Sequence, residues 1–374
     1  AILLTRVKVA HLDPAEMAAN TLAANTLAGM GRAILERAIE AVKNGDALAS
    51  LAARRWDSKT RQFVDYWFAR ETQIELSALV AEIERIPDAK WREFFQVILS
   101  SIIITKSGGV SLAFDLAHTR PHRAKVVRTK TGDILLGHDL ATSPFRRVKL
   151  LTKTLRSPLE EFEKRLDRNL SSLLAHTADG YPPDIQLGDA QQLPLEDASA
   201  DLIVTSPPYI ANAIDYMRAH KFSLVWLGYS IEALGQKRKE YIGGEATVDT
   251  QFLDLPGTAA QVVASIAEQD SKKGQVVHRY YSEMTRVLRE MYRVLKPGSA
   301  AIVVVGTSII RGIDTRVDQC LAEIGRASGF DVPKIGVRHL DRNRRMLPAG
   351  ATRDTESPIQ QRMQGEYVIG LYKP

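Results

Sequence analysis

The chain has 374 residues, with 50 Lys and Arg against 44 Asp and Glu and a formal charge of +6. Hydrophobic residues at 45% and charged residues at 25% exclude wholesale disorder and predict a sizeable core, enough for more than one lobe. The modest positive charge suits a polyanionic partner without demanding one. A single cysteine, Cys320, excludes a disulfide framework and any multi-cysteine metal site, and a cytoplasmic location is expected. The most apolar run, residues 94–104, is broken by Gln96, Ser100 and Ser101 and is too short to span a bilayer, so no membrane partner is expected. No signal-peptide pattern is visible, and the chain opens inside the apolar run Ala1-Ile2-Leu3-Leu4, so further residues are expected upstream.

The first hundred residues read as helix. Residues 21–53 are rich in Ala and Leu, carry scattered charges and hold no proline. The near-repeat of Asn20-Thr21-Leu22-Ala23-Ala24 by Asn25-Thr26-Leu27-Ala28-Gly29 lies inside that helix and does not suggest a repeat fold. Trp56, Phe63, Tyr66, Trp67 and Phe68 form an aromatic cluster, more consistent with core than with a base-stacking platform. Further helices fit residues 72–86, ending at Pro87, and 91–104, ending near Gly108-Gly109. A basic, irregular stretch comes next, with Arg120, His122, Arg123, Lys125, Arg128 and Lys130, then Arg146, Arg147, Lys149, Lys153 and Arg156. Ser157-Pro158-Leu159-Glu160 is a capping box with proline at the first helical position and predicts a helix to about Leu174.

Past Gly180 the texture changes. Short apolar runs at 184–187, 201–205, 300–305, 335–340 and 367–372 alternate with helical patterns. Tyr281, Met284, Leu288, Met291 and Leu295 recur at helical spacing up to Lys296-Pro297-Gly298. Val317, Cys320, Leu321 and Ile324 form another helical face ending near Gly329. Such alternation predicts an α/β sheet covered on both faces. Residues 228–274 fit neither pattern and read as a long irregular insertion.

The chemistry concentrates where an apolar strand, residues 202–205 and expected to be buried, runs into Ser206-Pro207-Pro208-Tyr209. The exocyclic amine of cytosine or adenine delocalises its lone pair into the ring and is a poor nucleophile. A catalyst must accept hydrogen bonds from that amine so that the nitrogen can pyramidalise, and must hold it in line with an electrophilic methyl. A short acceptor, Ser206, and a main-chain carbonyl stiffened by two prolines can do both. Pro207 and Pro208 carry no amide hydrogen to compete for those acceptors, and Tyr209 offers a face on which an extruded base can stack. A merely stiff loop would have the same four residues, so the position after a strand matters.

Residues 205–209 resemble motif IV of the DNA methylase N4/N6 family, S-adenosylmethionine-dependent amino-methyltransferases whose consensus is Ser, Asp or Asn before Pro-Pro-Tyr/Phe/Trp. In that family the Ser form usually accompanies cytosine-N4 methylation and the Asp form adenine-N6. Gly188-Asp189-Ala190 with Leu193-Pro194-Leu195 resembles the family's segment after strand 3. The resemblance implies that the Asp189 carboxylate accepts from the cofactor's adenine amine and that the Ala190 amide meets the ring, with Thr205 also beside the cofactor. Arg293-Val294-Leu295-Lys296-Pro297-Gly298 before residues 300–305 resembles the helix and strand 5 of the methyltransferase sheet, and residues 2–8 resemble the helix after strand 2. The implied architecture is a Rossmann-like class I methyltransferase sheet with a mostly helical insertion domain. Residues 1–20 would be a residual core helix, 21–155 the helical insertion with its basic loop and possible DNA-binding region, and 156–374 the catalytic domain with 228–274 inserted.

One departure stands out. The family's glycine-rich cofactor loop is absent, and neither Gly108-Gly109 nor Gly243-Gly244 follows a strand and opens a helix. Motif order puts that loop, and strands 1 and 2, before Ala1, so an upstream segment or a second polypeptide is expected to complete the site. Strands 1 and 2 would lie between strand 3 (184–187) and strand 4 (202–205), whose unpaired edges would make this chain poorly soluble or dependent on a partner. Asn212, Asp215 and Tyr216 are candidates for the base pocket, with a surface helix face as the alternative. Arg120, Arg123, Lys125, Arg342, Arg344 and Arg345 are candidates for the DNA backbone, as are Arg218, His220 and Lys221. Cys320, on an apolar helical face, cannot serve the cysteine-dependent carbon-5 chemistry of cytosine, and His118, His122 and His138 lack paired metal spacing. The function expected is methylation of a flipped DNA base, cytosine N4 first. Adenine-N6 methylation of DNA, RNA base-amine methylation and a non-catalytic nucleic-acid-binding subunit are the alternatives.

Overall fold

The computed structural model describes residues 2–9, 17–45, 54–105, 108–115, 121–137, 151–174, 183–210, 216–339 and 365–374. Two compact units emerge, one of residues 1–186 with 216–235, the other of 187–215 with 236–374. The boundary expected at residue 156 therefore falls about thirty residues later, at 187, and residues 216–235 return to the first unit.

The first unit is built on helices α1 (Ile2–Val9), α2 (Met17–Val42), α3 (Ser58–Trp67), α4 (Arg70–Glu84) and α5 (Ala89–Ile103). Asp57 caps α3 by accepting from Thr60 N at 2.9 Å, and Asp88 caps α5 by accepting from Trp91 N at 3.1 Å. Strands β1 (Ala113–Asp115) and β2 (His122–Arg123) make a small antiparallel pair. In a second small sheet β3 (Val126–Arg128) lies between β4 (Ile134–Leu136) and β5 (Thr152–Thr154). The stretch read as irregular thus holds short strands, pinned because Val126 and Val127 are buried. Helix α6 (Pro158–Leu174) starts at the expected capping box. Glu75 of α4 reinforces that start, accepting from Ser157 Oγ at 2.5 Å and Leu159 N at 3.1 Å. Phe162 and Leu166 of α6 join the core of α2, α4 and α5, which is why this helix belongs with the first unit.

Lys153 on β5 is buried, and its ammonium donates to the carbonyls of Gly109, Ser111 and Ala113 at 2.8, 2.5 and 2.7 Å. Gly108 makes that cage possible: its φ is +80°, and a Cβ there would sit 1.7 Å from the Ala113 oxygen. Burial first, and then Arg156, pull the Lys153 ammonium down to about 7, against three carbonyls that favour its charged form.

In the second unit β6 (Ala200–Thr205) is the strand before the double proline. Helix α7 (Tyr216–Leu224), assigned to the first unit, is next in the chain, and α8 (Ile231–Glu240) runs across the boundary. Then come α9 (Gly257–Gln269), α10 (Ser271–Val294), β7 (Leu295–Gly306), the hairpin of β8 (Ile309–Ile310) and β9 (Ile313–Asp314), α11 (Val317–Ala327), β10 (Ile335–His339) and β11 (Gly365–Tyr372). Residues 228–274 are therefore largely helical, which corrects the expectation of an irregular insertion. Ala259, Val262 and Ile266 of α9 are buried together with Val277, Tyr281 and Met284 of α10, and this shared face drives the helix.

The four-stranded sheet has the order β10-β11-β7-β6, with β6 and β7 parallel and β11 antiparallel to both its neighbours. This is mixed α/β architecture, and β6 and β7 are the strands that the resemblance equates with strands 4 and 5 of the Rossmann-like methyltransferase sheet. Two expectations fail. Residues 184–187 form no strand, since no ladder partner stands beside them among the described residues. Nor is β6 buried throughout: Leu202 and Val204 are 60% and 67% exposed, whereas Ile203 packs on the core. With a period of two, one face of β6 meets the core and the other stays uncovered, at an edge where β7 is its one described neighbour.

Candidate active site

Thr205 ends β6, in register with Val303 of β7, and Ser206-Pro207-Pro208-Tyr209 leave the sheet at its C-terminal edge. Open α/β sheets bind their ligands beyond such strand ends. Ser206 is exposed, Pro207, Pro208 and Tyr209 are half-buried, and Ile210 anchors the turn in the core. The Tyr209 ring lies against Gly306 at the end of β7, where a Cβ would come 3.1 Å from its Cζ. Its hydroxyl lies 3.4 Å from Glu366 Oε1 on β11.

Asp189 and Ala190 are exposed, in a loop where Asp189 Oδ1 accepts from Gln191 N at 2.9 Å. Two residues of α10 hold the segment from Leu193 to Asp197. Glu290 accepts from Leu193 N at 2.9 Å. Arg293 donates to the carbonyls of Leu193 and Leu195 at 3.1 and 2.9 Å, to Asp197 at 2.6 Å and to Glu290. The Arg293 guanidinium holds the Glu290 carboxyl below the usual range. Neither residue stood out in the sequence as a site residue. The one signal was the Arg293-to-Gly298 stretch, read as a helix end rather than as a clamp.

A cavity of about 550 Å³ lies beside this loop, within the range of small-molecule sites. Gln191, Lys239, Asp249, Arg279, Glu283 and Arg286 are among its walls. Arg279 and Glu283 form a buried pair at 2.8 Å that organises the wall. Arg279 also donates to the carbonyls of Lys239, Tyr241 and Ala246, and Glu283 accepts from Gly243 N at 2.9 Å. Gly243 has φ at +75°, which disfavours a side chain, and a Cβ there would lie 3.2 Å from the Tyr280 ring and 3.5 Å from the Tyr209 main-chain carbonyl oxygen. Arg286 bridges Gln191 Oε1, at 3.4 Å, and the Gln251 carbonyl. The walls thus connect the Asp189 loop to the segment touching Tyr209, although Asp189 and residues 206–209 do not themselves line the cavity.

The remaining candidates are scattered. Arg123 lies in the first unit with its guanidinium 4.3 Å from the Tyr66 ring centre, and Lys125 is exposed. Tyr66, grouped with the core in the sequence, is 51% exposed. Tyr216 opens α7. Asn212, Asp215, Arg120, Arg342, Arg344 and Arg345 lie outside the described residues. Among the described residues no cluster of His, Cys, Asp and Glu could hold a metal ion, and no helix is long and apolar enough to cross a membrane.

No protein-family model matches the sequence. Among curated proteins, the chain is 22% identical over 308 residues to the type II methyltransferase M.MvaI of Kocuria varians, covering 79% of the chain and 62% of that protein. It is 29% identical over 155 residues to the type II methyltransferase M.AvaI of Nostoc sp., covering 36% of the chain and 32% of the relative, and matches its Anabaena variabilis counterpart equally. The chain thus spans less than two thirds of the curated relatives it matches. Among solved structures, TTHA0409 of Thermus thermophilus, provisionally named a DNA modification methylase, aligns at 20% identity over 50% of this chain and 51% of that one, with a TM-score of 0.25. Its complex with S-adenosyl-L-methionine gives 0.26 over 52% of that chain.

Proposed function

We propose that this chain, a relative of type II methyltransferases, transfers a methyl group from S-adenosylmethionine to an exocyclic amine of a flipped DNA base, with cytosine N4 the favoured acceptor. The observation carrying this reading is Ser206-Pro207-Pro208-Tyr209 at the C-terminal edge of β6, with Ser206 exposed and the Tyr209 ring seated against Gly306. When bound, the cofactor supplies an electrophilic methyl on a sulfonium. The chain's own residues do the rest. Ser206 and a carbonyl of the proline turn accept from the base amine, drawing its lone pair out of conjugation and toward the methyl. Tyr209 stacks on the extruded base. The pair of acceptors stabilises the positive charge that builds on nitrogen, and the proton passes to solvent from the exposed edge.

The acceptor chemistry at Asp189 fits the adenine end of the cofactor. A carboxylate accepts at about four lone-pair positions, so the contacts with Gln191 leave capacity for an amine. Glu290 and Arg293 hold that loop in place. Arg123 and Lys125, with the basic positions outside the described residues, are assigned to the phosphate backbone, where each contact steepens the salt dependence of binding. Preference for cytosine rests on the Ser at position 206.

Mass spectrometry of nucleosides from DNA incubated with the full-length protein and labelled S-adenosylmethionine tests the proposal. N4-methylcytosine is the expected product. N6-methyladenine would correct the base while keeping the reaction, and label appearing only in RNA, or in no base, would sink it.

A further inference from the structure

Arg338, Glu366 and Gly306 form a rung across three adjacent strands, Arg338 on β10 facing Glu366 on β11, and Glu366 facing Gly306 on β7. Directly opposed residues of an antiparallel pair project on the same face with their Cβ atoms close together. Glycine at 306 leaves that place empty, and the Tyr209 ring occupies it: a Cβ on residue 306 would lie 3.1 Å from Cζ, 3.3 Å from the hydroxyl oxygen and 3.4 Å from Cε1. Glu366 is 13% exposed, and one of its oxygens is bound by Arg338. Its other oxygen faces the Tyr209 hydroxyl at 3.4 Å, long for an O–H···O bond, so the seat supplies the packing and the carboxylate the direction.

We propose that Glu366, acting through the vacant side-chain place at Gly306, is a positioning residue that fixes the angle of the Tyr209 ring. The inference rests on the methyl-transfer reading for its purpose, since a stacking ring is useful only at a set angle to the base. The stacking role proposed for Tyr209 uses the face of its ring and leaves the phenol oxygen outside the chemistry. In this chain it serves as a tether instead. Arg338 neutralises the carboxylate and keeps it from drifting toward solvent.

The test labels the full chain with 3-fluorotyrosine and assigns the Tyr209 fluorine resonance as the one lost in Tyr209→Phe. Glu366→Ala is expected to move that resonance, Glu366→Gln to restore most of its position because an acceptor remains, and Gly306→Ala to displace it through direct contact. On DNA, Glu366→Ala is expected to lower kcat about tenfold while KM for DNA holds, since small misplacements of a positioned group are costly. Tyr209→Phe combined with Glu366→Ala should fall no further than either alone. A Tyr209 resonance indifferent to Glu366→Ala and Gly306→Ala, in variants that melt like the parent, overturns the proposal. If the resonance moves but the parent protein methylates no base, the ring clamp stands and the methyl-transfer reading falls.

Discussion

Arg279 and Glu283 stand one turn apart on α10, 2.8 Å from Nε to Oε1, with side chains only 7% and 8% exposed. Together they satisfy four backbone groups of the segment between Lys239 and Ala246. Removing one partner strands the other charge in the interior. Arg279→Met is therefore expected to cost about 3–5 kcal/mol, read from the midpoint of urea unfolding. Simultaneous replacement of both should cost less than the single change.

The Lys153 cage gives a pH dependence whose sign is fixed. Its ammonium loses its proton at about 7 in the native state and at its ordinary 10.5 when unfolded. Between those values the unfolded chain holds a proton that the native chain lacks, so stability rises with pH across that window. Below about 7 both states are protonated and the full burial cost is present. The contribution is up to about 1.4 kcal/mol per pH unit. Unfolding at pH 7, 8 and 9 should show this rise for the parent protein, and Lys153→Met should flatten it.

Arg293 ties three positions of the loop after Asp189 to α10. In Arg293→Ala, amide hydrogen exchange across residues 190–199 should accelerate while α11 keeps its protection. Equal acceleration in both places would mean global loosening instead.

Ser206 tests the chemistry most directly. If the chain transfers methyl groups as proposed, Ser206→Ala, which removes an exposed side-chain acceptor, should lower single-turnover transfer by roughly a hundredfold, the scale of one electrostatic donor or acceptor at a reacting centre. Filter binding should show unchanged affinity for DNA.

The uncovered face of β6 predicts self-association. Leu202→Lys and Val204→Lys, at exposed positions, should raise the concentration at which light scattering begins. Unfolding free energy should move by no more than about 0.5 kcal/mol.

Much of the second unit was legible from periodicity. The apolar runs at 201–205, 300–305, 335–340 and 367–372 became β6, β7, β10 and β11, and the face of Val317, Cys320, Leu321 and Ile324 became α11. The run at 184–187, with Ile185 and Leu187 alternating with polar residues, forms no strand, because a strand is defined by its neighbour and composition is silent about neighbours. Leu202 and Val204 misled for a related reason: an apolar run reads alike whether one face or both are covered. The grip of Glu290 and Arg293 on Leu193 and Leu195 joins residues nearly a hundred positions apart, and no spacing rule reaches that far. Ser206-Pro207-Pro208-Tyr209 stood out because its parts are contiguous, whereas the cavity walls come from four separate segments.

The seat at Gly306 links the histories of two distant positions. A side chain acquired at 306 would press on the ring at 209, which would have to give by a few tenths of an ångström. Substitutions at the two sites should therefore tend to travel as a pair, with side chains larger than alanine at 306 accompanied by a smaller or re-aimed ring at 209.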